Sequence, residues 1–232
     1  MFVSTDAIIL KNTPYQDSSI ISRLFTREEG KLSTIFKGAK KSKNNLPGII
    51  EPGNIINITF YNKSNLKIAK ETKLIQTYYS NRKILSNYYY TMAIISLLDK
   101  LCMEHQQYID LYDLTIDVLF KIDEQKINID ILFIYFLIHL NRTIGYEINI
   151  IDNINTDKNK KLYNNDTCDI IKQLSQNIDV LYNIDADTTR KIDLINKLKI
   201  IIYRHMREHI IDLNEINAIQ MLKYINNEST SR

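Results

Sequence analysis

The chain is poor in the residues that staple, kink or span. Cys102 and Cys168 are its only cysteines in 232 residues, and they lie far apart. That excludes a disulfide scaffold and a Cys-based zinc ribbon, and it fits a reducing compartment. Proline and glycine are equally scarce. All three prolines and four of the five glycines fall between Pro14 and Gly53, so only that stretch is punctuated by turns. The longest apolar run, Ile129 to Leu140, is interrupted by Asp130. A membrane span needs roughly 20 apolar residues, so a buried helix is expected there and no membrane partner. The opening MFVSTDAIIL has neither a basic region nor a small-residue cleavage site, so no secretory leader is expected. The phosphate-cradling patterns GxxxxGK[ST] and GxGxxG are missing, as is the GxSxG elbow. The expectation is a cytoplasmic, non-enzymatic protein with no cofactor.

What is present is unevenly distributed. Residues 1–80 hold 12 Lys and Arg against 6 Asp and Glu, a net of +6, whereas residues 81–232 hold 18 against 21, a net of −3. A basic first third indicates either a localised polyanion-binding surface or charge scattered along solvated strand edges. The hydrophobic period changes near residue 80. Before it, strands are expected at 6–11, 18–26, 31–37, 54–61 and 65–74. The fourth alternates cleanly, with Ile56, Ile58 and Phe60 on one face and Asn57, Thr59 and Tyr61 on the other. Five short strands in this length suit a small closed barrel, which removes sheet edges.

After Tyr79 the apolar spacing is helical. Ile84, Tyr88, Met92, Ile95, Leu98 and Cys102 form one stripe of a helix expected over 83–104. Further helices are expected at 108–121, 128–144, 166–181, 188–210 and 214–227. Gly145 is placed to end the third in the left-handed conformation. Asp187 or Thr188 and Asn214 are candidate N-caps, and the tail NESTSR is expected to fray. Residues 147–165 are polar and aperiodic, an insertion or loop. The architecture expected is α+β multidomain: a barrel over 1–79, then an all-α helical domain over 80–232.

The candidate chemistry is electrostatic. Lys37, Lys40, Lys41 and Lys43 are four lysines in seven positions after a strand, flanked by glycine and a Pro47-Gly48 turn. Such ammonium groups stay in water and suit phosphate backbones, with simple solubility as the bland alternative. Lys11, Arg23 and Arg27 extend the surface over the strands. Tyr15, Phe25, Phe36 and Tyr61 lie on or near those strands, where aromatics serve either as stacking platforms or as core, and Phe25 and Phe36 are assigned to the core. The DNA-binding candidates are therefore Lys11, Tyr15, Arg23, Arg27, Lys37, Lys40, Lys41 and Lys43. One rival signal exists. His205, Glu208 and His209 match H-x-x-E-H, which on a helix places two imidazoles on one face for zinc. The alternative is an exposed basic last turn. Cys102 lies on an apolar stripe and reads as a small core residue.

Several of these segments, in order, resemble the RecO family of bacterial DNA repair and recombination mediators. They are Ala7-Ile8-Ile9-Leu10-Lys11, Tyr15-Gln16-Asp17-Ser18-Ser19, and Leu24-Phe25-Thr26-Arg27-Glu28-Glu29-Gly30-Lys31-Leu32-Ser33. The lysine turn and Leu46-Pro47-Gly48-Ile49-Ile50-Glu51-Pro52 complete the set. The resemblance continues weakly through Leu137–Gly145 and Tyr203–His209. It implies an OB-fold barrel followed by helices. It also implies binding of single- and double-stranded DNA and annealing of complementary strands. The partners implied are RecR and the acidic C-terminal tail of single-stranded-DNA-binding protein, at the nucleoid. Many members carry a four-cysteine zinc motif just after the position of Gly145. Only Cys168 stands in that region here, so a metal-free insertion is expected at about 147–165. A general nucleic-acid-binding barrel that also takes RNA, and a metallo-hydrolase built on His205, Glu208 and His209, remain alternatives.

Overall fold

A computed structural model of the chain describes residues 2–41, 45–61, 66–148, 165–176 and 188–230. Compact units form at residues 1–116 and 117–232. The first unit contains five strands: β1 (Phe2–Tyr15), β2 (Ser19–Thr26), β3 (Gly30–Phe36), β4 (Ile55–Tyr61) and β5 (Leu66–Gln76). They close in the order β1-β2-β3-β5-β4, with only the β3–β5 pair parallel. β1 runs well beyond the expected 6–11 at both ends. Its register shifts between Ile9 and Lys11, and this bulge bends the strand. The first half then pairs with β4 and the second with β2. Local alternation could not show this, because the extra length is stabilised by two different partners.

Ile56, Ile58 and Phe60 are buried, as their alternation predicts. They join Ala7, Ile9, Leu24, Leu32 and Phe36 in one core. A 3-10 turn, Ala39–Lys41, and one helical turn, α1 (Leu46–Ile49), close one end of that core through the fully buried Ala39 and Ile50. The expected Pro-Gly turn is therefore helical, with Pro47 near its start, where its missing N–H costs nothing.

A short helix, a long one and the start of a third complete the first unit. α2 (Ser80–Lys83) stops at Ile84, whose extended backbone separates it from α3 (Leu85–Leu101). The single helix expected over 83–104 is thus shorter and interrupted. Its buried face follows the expected stripe only in part: Ile95, Leu98 and Cys102 are buried, but Ile84 and Tyr88 are exposed, and Tyr90, Thr91, Ile94 and Leu97 are buried beside the stripe. α4 (Ile109–Glu124) begins in this unit and brings Tyr112, with the preceding Tyr108, against Phe25 at ring distances of 5.9 and 6.3 Å. The loop between α3 and α4 lies along β3, where His105 N–H donates to the Lys31 carbonyl at 2.9 Å. The approach is close enough that a Cβ on Gly30 would stand 2.1 Å from the Gln106 carbonyl oxygen, at a φ of +70°. Only glycine fits there.

The second unit takes the rest of α4, then α5 (Ile129–Thr143), α6 (Asn165–Leu174), α7 (Thr188–His209) and α8 (Asn217–Thr230). Asn128 caps α5, accepting from the backbone N–H groups of Asp130 and Ile131. At its other end Gly145 takes φ +86°. Its N–H donates to Arg142 and that of Tyr146 to Asn141, the paired bonds of a Schellman ending. Ile131 through Ile138 are all buried, so α5 is a central core helix. No helix among the described residues is long and apolar enough to cross a membrane. Two end assignments change. Asp212, not Asn214, caps the segment after α7, and Asn214 lies inside a 3-10 turn, Leu213–Glu215, before α8. The backbone is helical to Thr230, so Asn227 through Thr230 continue α8 where fraying is expected. Asp187 and most of 147–165 lie outside the described residues.

Candidate nucleic-acid interface

The lysine turn is held in place by its own backbone. Ala39 is buried in the barrel core, so its neighbours face outward. Lys40 N–H donates to the Ser18 carbonyl at 2.9 Å, and Lys40 Nζ donates to the Gln16 carbonyl at 2.8 Å. The 3-10 turn is thereby tied to the β1–β2 turn, beside the exposed Tyr15. Lys37, Lys40 and Lys41 are exposed, and none forms an ion pair with another described residue. Lys43 lies outside the described residues. Lys11 is exposed on β1, directly opposite Arg23 on β2.

Two like charges opposite each other destabilise a ladder unless one is matched. Here Arg23 is matched: its guanidinium lies 2.6 Å from Asp99 on α3. Arg27 is held more firmly, with Nε and a terminal nitrogen each 2.8 Å from the two oxygens of Asp113 on α4. This fork geometry suits arginine and not lysine. The hydrogen bond from Arg27 is the main cause holding the Asp113 carboxyl below its ordinary range, and the same bond raises the guanidinium further. The structure thus separates the predicted site residues. The lysines and Tyr15 share one rim, whereas both arginines join the barrel to the helices of its own unit. Phe25 and Phe36 are core, and Tyr61 is exposed. Sequence reasoning missed the carboxylate partners, 86 residues from Arg27 in the case of Asp113, because no local pattern marks a pair formed by tertiary packing. It also passed over the exposed Lys70 on β5.

The H-x-x-E-H segment ends α7. His205 and His209 stack with centroids 4.8 Å apart. His205 Nε2 lies 2.9 Å from the Tyr146 carbonyl, which only accepts, so Nε2 carries the proton and donates. Among the described residues no three His, Cys, Asp or Glu side chains form a metal-holding group. Both cysteines are buried, and burial pushes the Cys102 thiol up to about 12, away from the reactive thiolate.

These features define a class: an OB-fold barrel with a lysine-rich rim, followed by helices. Residues 1–78 match the family model for Recombination protein O, N terminal, and residues 82–166 match that for its C terminal part. The chain belongs to the RecO family. It is 30% identical to the DNA repair protein RecO of Chlorobium limicola over 149 residues, covering 63% of this chain and 57% of that protein. It is 32% identical to the DNA repair protein RecO of Listeria monocytogenes over 119 residues, covering 51% and 47%. The matched part of the chain spans about half the length of these relatives.

Proposed function

We infer that this protein is a DNA repair and recombination mediator of the cytoplasm, associated with the nucleoid. It binds single- and double-stranded DNA through the barrel and anneals complementary strands by holding them, with no covalent chemistry. The observation that carries this reading is the rim of Lys37, Lys40 and Lys41, exposed and fixed beside the β1–β2 turn by the Lys40 contacts. Annealing is slowed by repulsion between two polyanions. Ammonium groups lower that barrier, and contacts to phosphate leave bases free to find their register. Lys11 and Lys43 belong to the same contact set. Arg23 and Arg27, with Tyr15, take a lesser part because both guanidinium groups already hold carboxylates.

The partners proposed are RecR and the acidic tail of single-stranded-DNA-binding protein. A groove of about 300 Å³ on the second unit fits such a tail. The exposed Ile200 offers apolar contact there, and Arg207 and Lys223 offer charge. The test is annealing of complementary strands coated with single-stranded-DNA-binding protein, in the absence of ATP. Annealing faster than without protein is expected. A requirement for ATP, or no acceleration across a range of salt, overturns the mechanism. Tighter salt-matched binding of RNA than DNA overturns the repair reading in favour of a general nucleic-acid barrel.

A further inference from the structure

The barrel closes on a short seam. Residues 33–35 of β3 pair with 66–68 of β5, and β5 then runs on to Gln76 beside β4 alone. Among the described residues, β3 and β4 are the elements packed along β5, so its second edge is unoccupied from Ala69 onward. On that stretch Lys70, Glu71, Lys73, Leu74, Ile75 and Gln76 are exposed, with Leu74 43% and Ile75 49% open to solvent. An edge strand carries a row of unpaired N–H and C=O groups, which is a template for another strand. The exposed apolar side chains continue along the chain through Tyr79, Ile84 and Leu85. A solvated edge does not need them, and a protein contact does.

The charges on this edge select its partner. Glu71 and Lys73 share the outer face of β5, opposite Thr59 and Asn57 of β4. Neither has an ion-pair partner among the described residues. Two copies of one strand joined antiparallel, edge to edge, are related by a two-fold axis perpendicular to the sheet, and residues paired across it lie on one face. The axis then passes beside a single residue paired with its own copy. Placed at Lys70, Glu71 or Lys73, it sets like charges directly opposite, which destabilises the pair. Placed at Thr72, it sets Glu71 of each copy opposite Lys73 of the other, so the acid–base pair forms twice. The same register lays Leu74 against the aliphatic stem of Lys70. Register shifts with β4 at Lys70 and Ile75 bound this ladder to residues 70–74. The lysines that ordinarily guard an edge thus exclude the neighbouring registers and admit this one.

We propose that the free edge of β5 pairs antiparallel with the β5 of a second copy of the chain, centred on Thr72, to give a two-fold dimer through one continuous sheet. The ladder is short beside the interfaces of permanent dimers, so association is reversible and depends on concentration. The dimer sets two barrels and two lysine turns in one particle. Their use in bringing two strands together rests on the DNA-binding reading above, whereas the dimer itself does not.

The test uses the full chain without nucleic acid, so its outcome is separate from that reading. Sedimentation velocity over a range of concentrations is expected to show the wild type passing from monomer to dimer. Glu71→Lys and Lys73→Glu, each checked for native circular dichroism, are expected to associate about 10-fold more weakly, because each turns two opposite-charge pairs into two like-charge pairs. Mixing the two variants in equal amounts is expected to restore association to the wild-type level, since each reversed charge then meets its opposite across the axis. The double variant Glu71→Lys/Lys73→Glu is expected to do so alone. A wild-type chain that stays monomeric overturns the proposal, and so do single variants that dimerise like the wild type. A mixture no more associated than its components overturns it as well. Growth of the wild type into assemblies larger than a dimer overturns it by showing an edge that pairs without a fixed register.

Discussion

Lysine is used in opposite ways in the two compact units. In the second, Lys121 pairs with Asp117, Lys126 with Glu124, Lys197 with Asp193 and Lys199 with Asp130, at distances between 2.6 and 3.5 Å. In the first, Lys11, Lys37 and Lys41 have no carboxylate partner among the described residues, and the arginines take the acids instead. Geometry explains part of this. A helix brings residues four apart to one side, so a sequence with mixed charges pairs its own lysines. A strand and a tight turn offer no such neighbour, and their ammonium groups remain available to an outside anion. The net −2 of residues 117–232, 15 Lys and Arg against 17 Asp and Glu, therefore goes with internal matching, and the +5 of residues 1–116, 15 against 10, with unmatched positive charge.

The comparison breaks first where each unit is held. Phe136 is fully buried at the centre of α5. Phe136→Ala is expected to cost about 3–5 kcal/mol, read by denaturant unfolding, with DNA affinity of the remaining folded protein unchanged at low temperature. A loss of DNA affinity without a loss of stability would place the DNA contact in the helical unit. The first unit depends on a single close approach. Gly30→Ala must both adopt φ +70° and displace the Gln106 backbone, so a loss of about 3 kcal/mol is expected. An unchanged unfolding midpoint would show that the loop between α3 and α4 is not docked there.

Charge sharpens the contrast without touching either core. Replacing Lys37, Lys40, Lys41 and Lys43 with alanine is expected to flatten the plot of log K against log salt by about three to four units. The same four-lysine replacement at Lys121, Lys126, Lys197 and Lys199 is expected to leave that slope unchanged. Equal effects from both sets would erase the distinction drawn between the units.

The smallest effect is that of pH. Burial lowers the pKa of His139 and of His205 below the ordinary 6.5, outweighing their bonds to the Leu174 and Tyr146 carbonyls. The unfolded chain then binds protons first as pH falls through about 6.5. The stability these neutral rings contribute is complete above that value and is lost progressively between it and their lower folded values. Thermal melts between about pH 7.5 and 5.5 are expected to show a falling midpoint that His139→Gln/His205→Gln reduces. A midpoint that rises on acidification would contradict the burial assigned to these rings.

Much of this was legible residue by residue. The alternation of Ile56, Ile58 and Phe60 needs only the strand's period of two, and it named the core face of β4. Gly145 ended α5 as expected, because a left-handed residue after a helix is a local demand. The lysine turn stayed in water for a reason equally local. The readings that changed all involve a second partner. The stripe from Ile84 to Cys102 holds only in its second half, where Ile95, Leu98 and Cys102 are buried; Tyr88 is exposed, and Ile84 breaks the helix outright. Arg23 and Arg27 read as surface cations until Asp99 and Asp113 arrived from distant helices.

By itself, the sequence determined which segments are strands and helices, where most of them stop, and which third of the chain carries unmatched positive charge. Those properties depend on periods, caps and side-chain pKa values that each residue brings with it. Only the tertiary structure decided that Ser33, Thr34 and Ile35 lie beside Leu66, Lys67 and Ile68, and that β5 runs on past them with one edge unpaired among the described residues. Closing five strands into a barrel fixes the stagger of every register at once. That stagger sets side by side residues whose separation along the chain carries no trace of it.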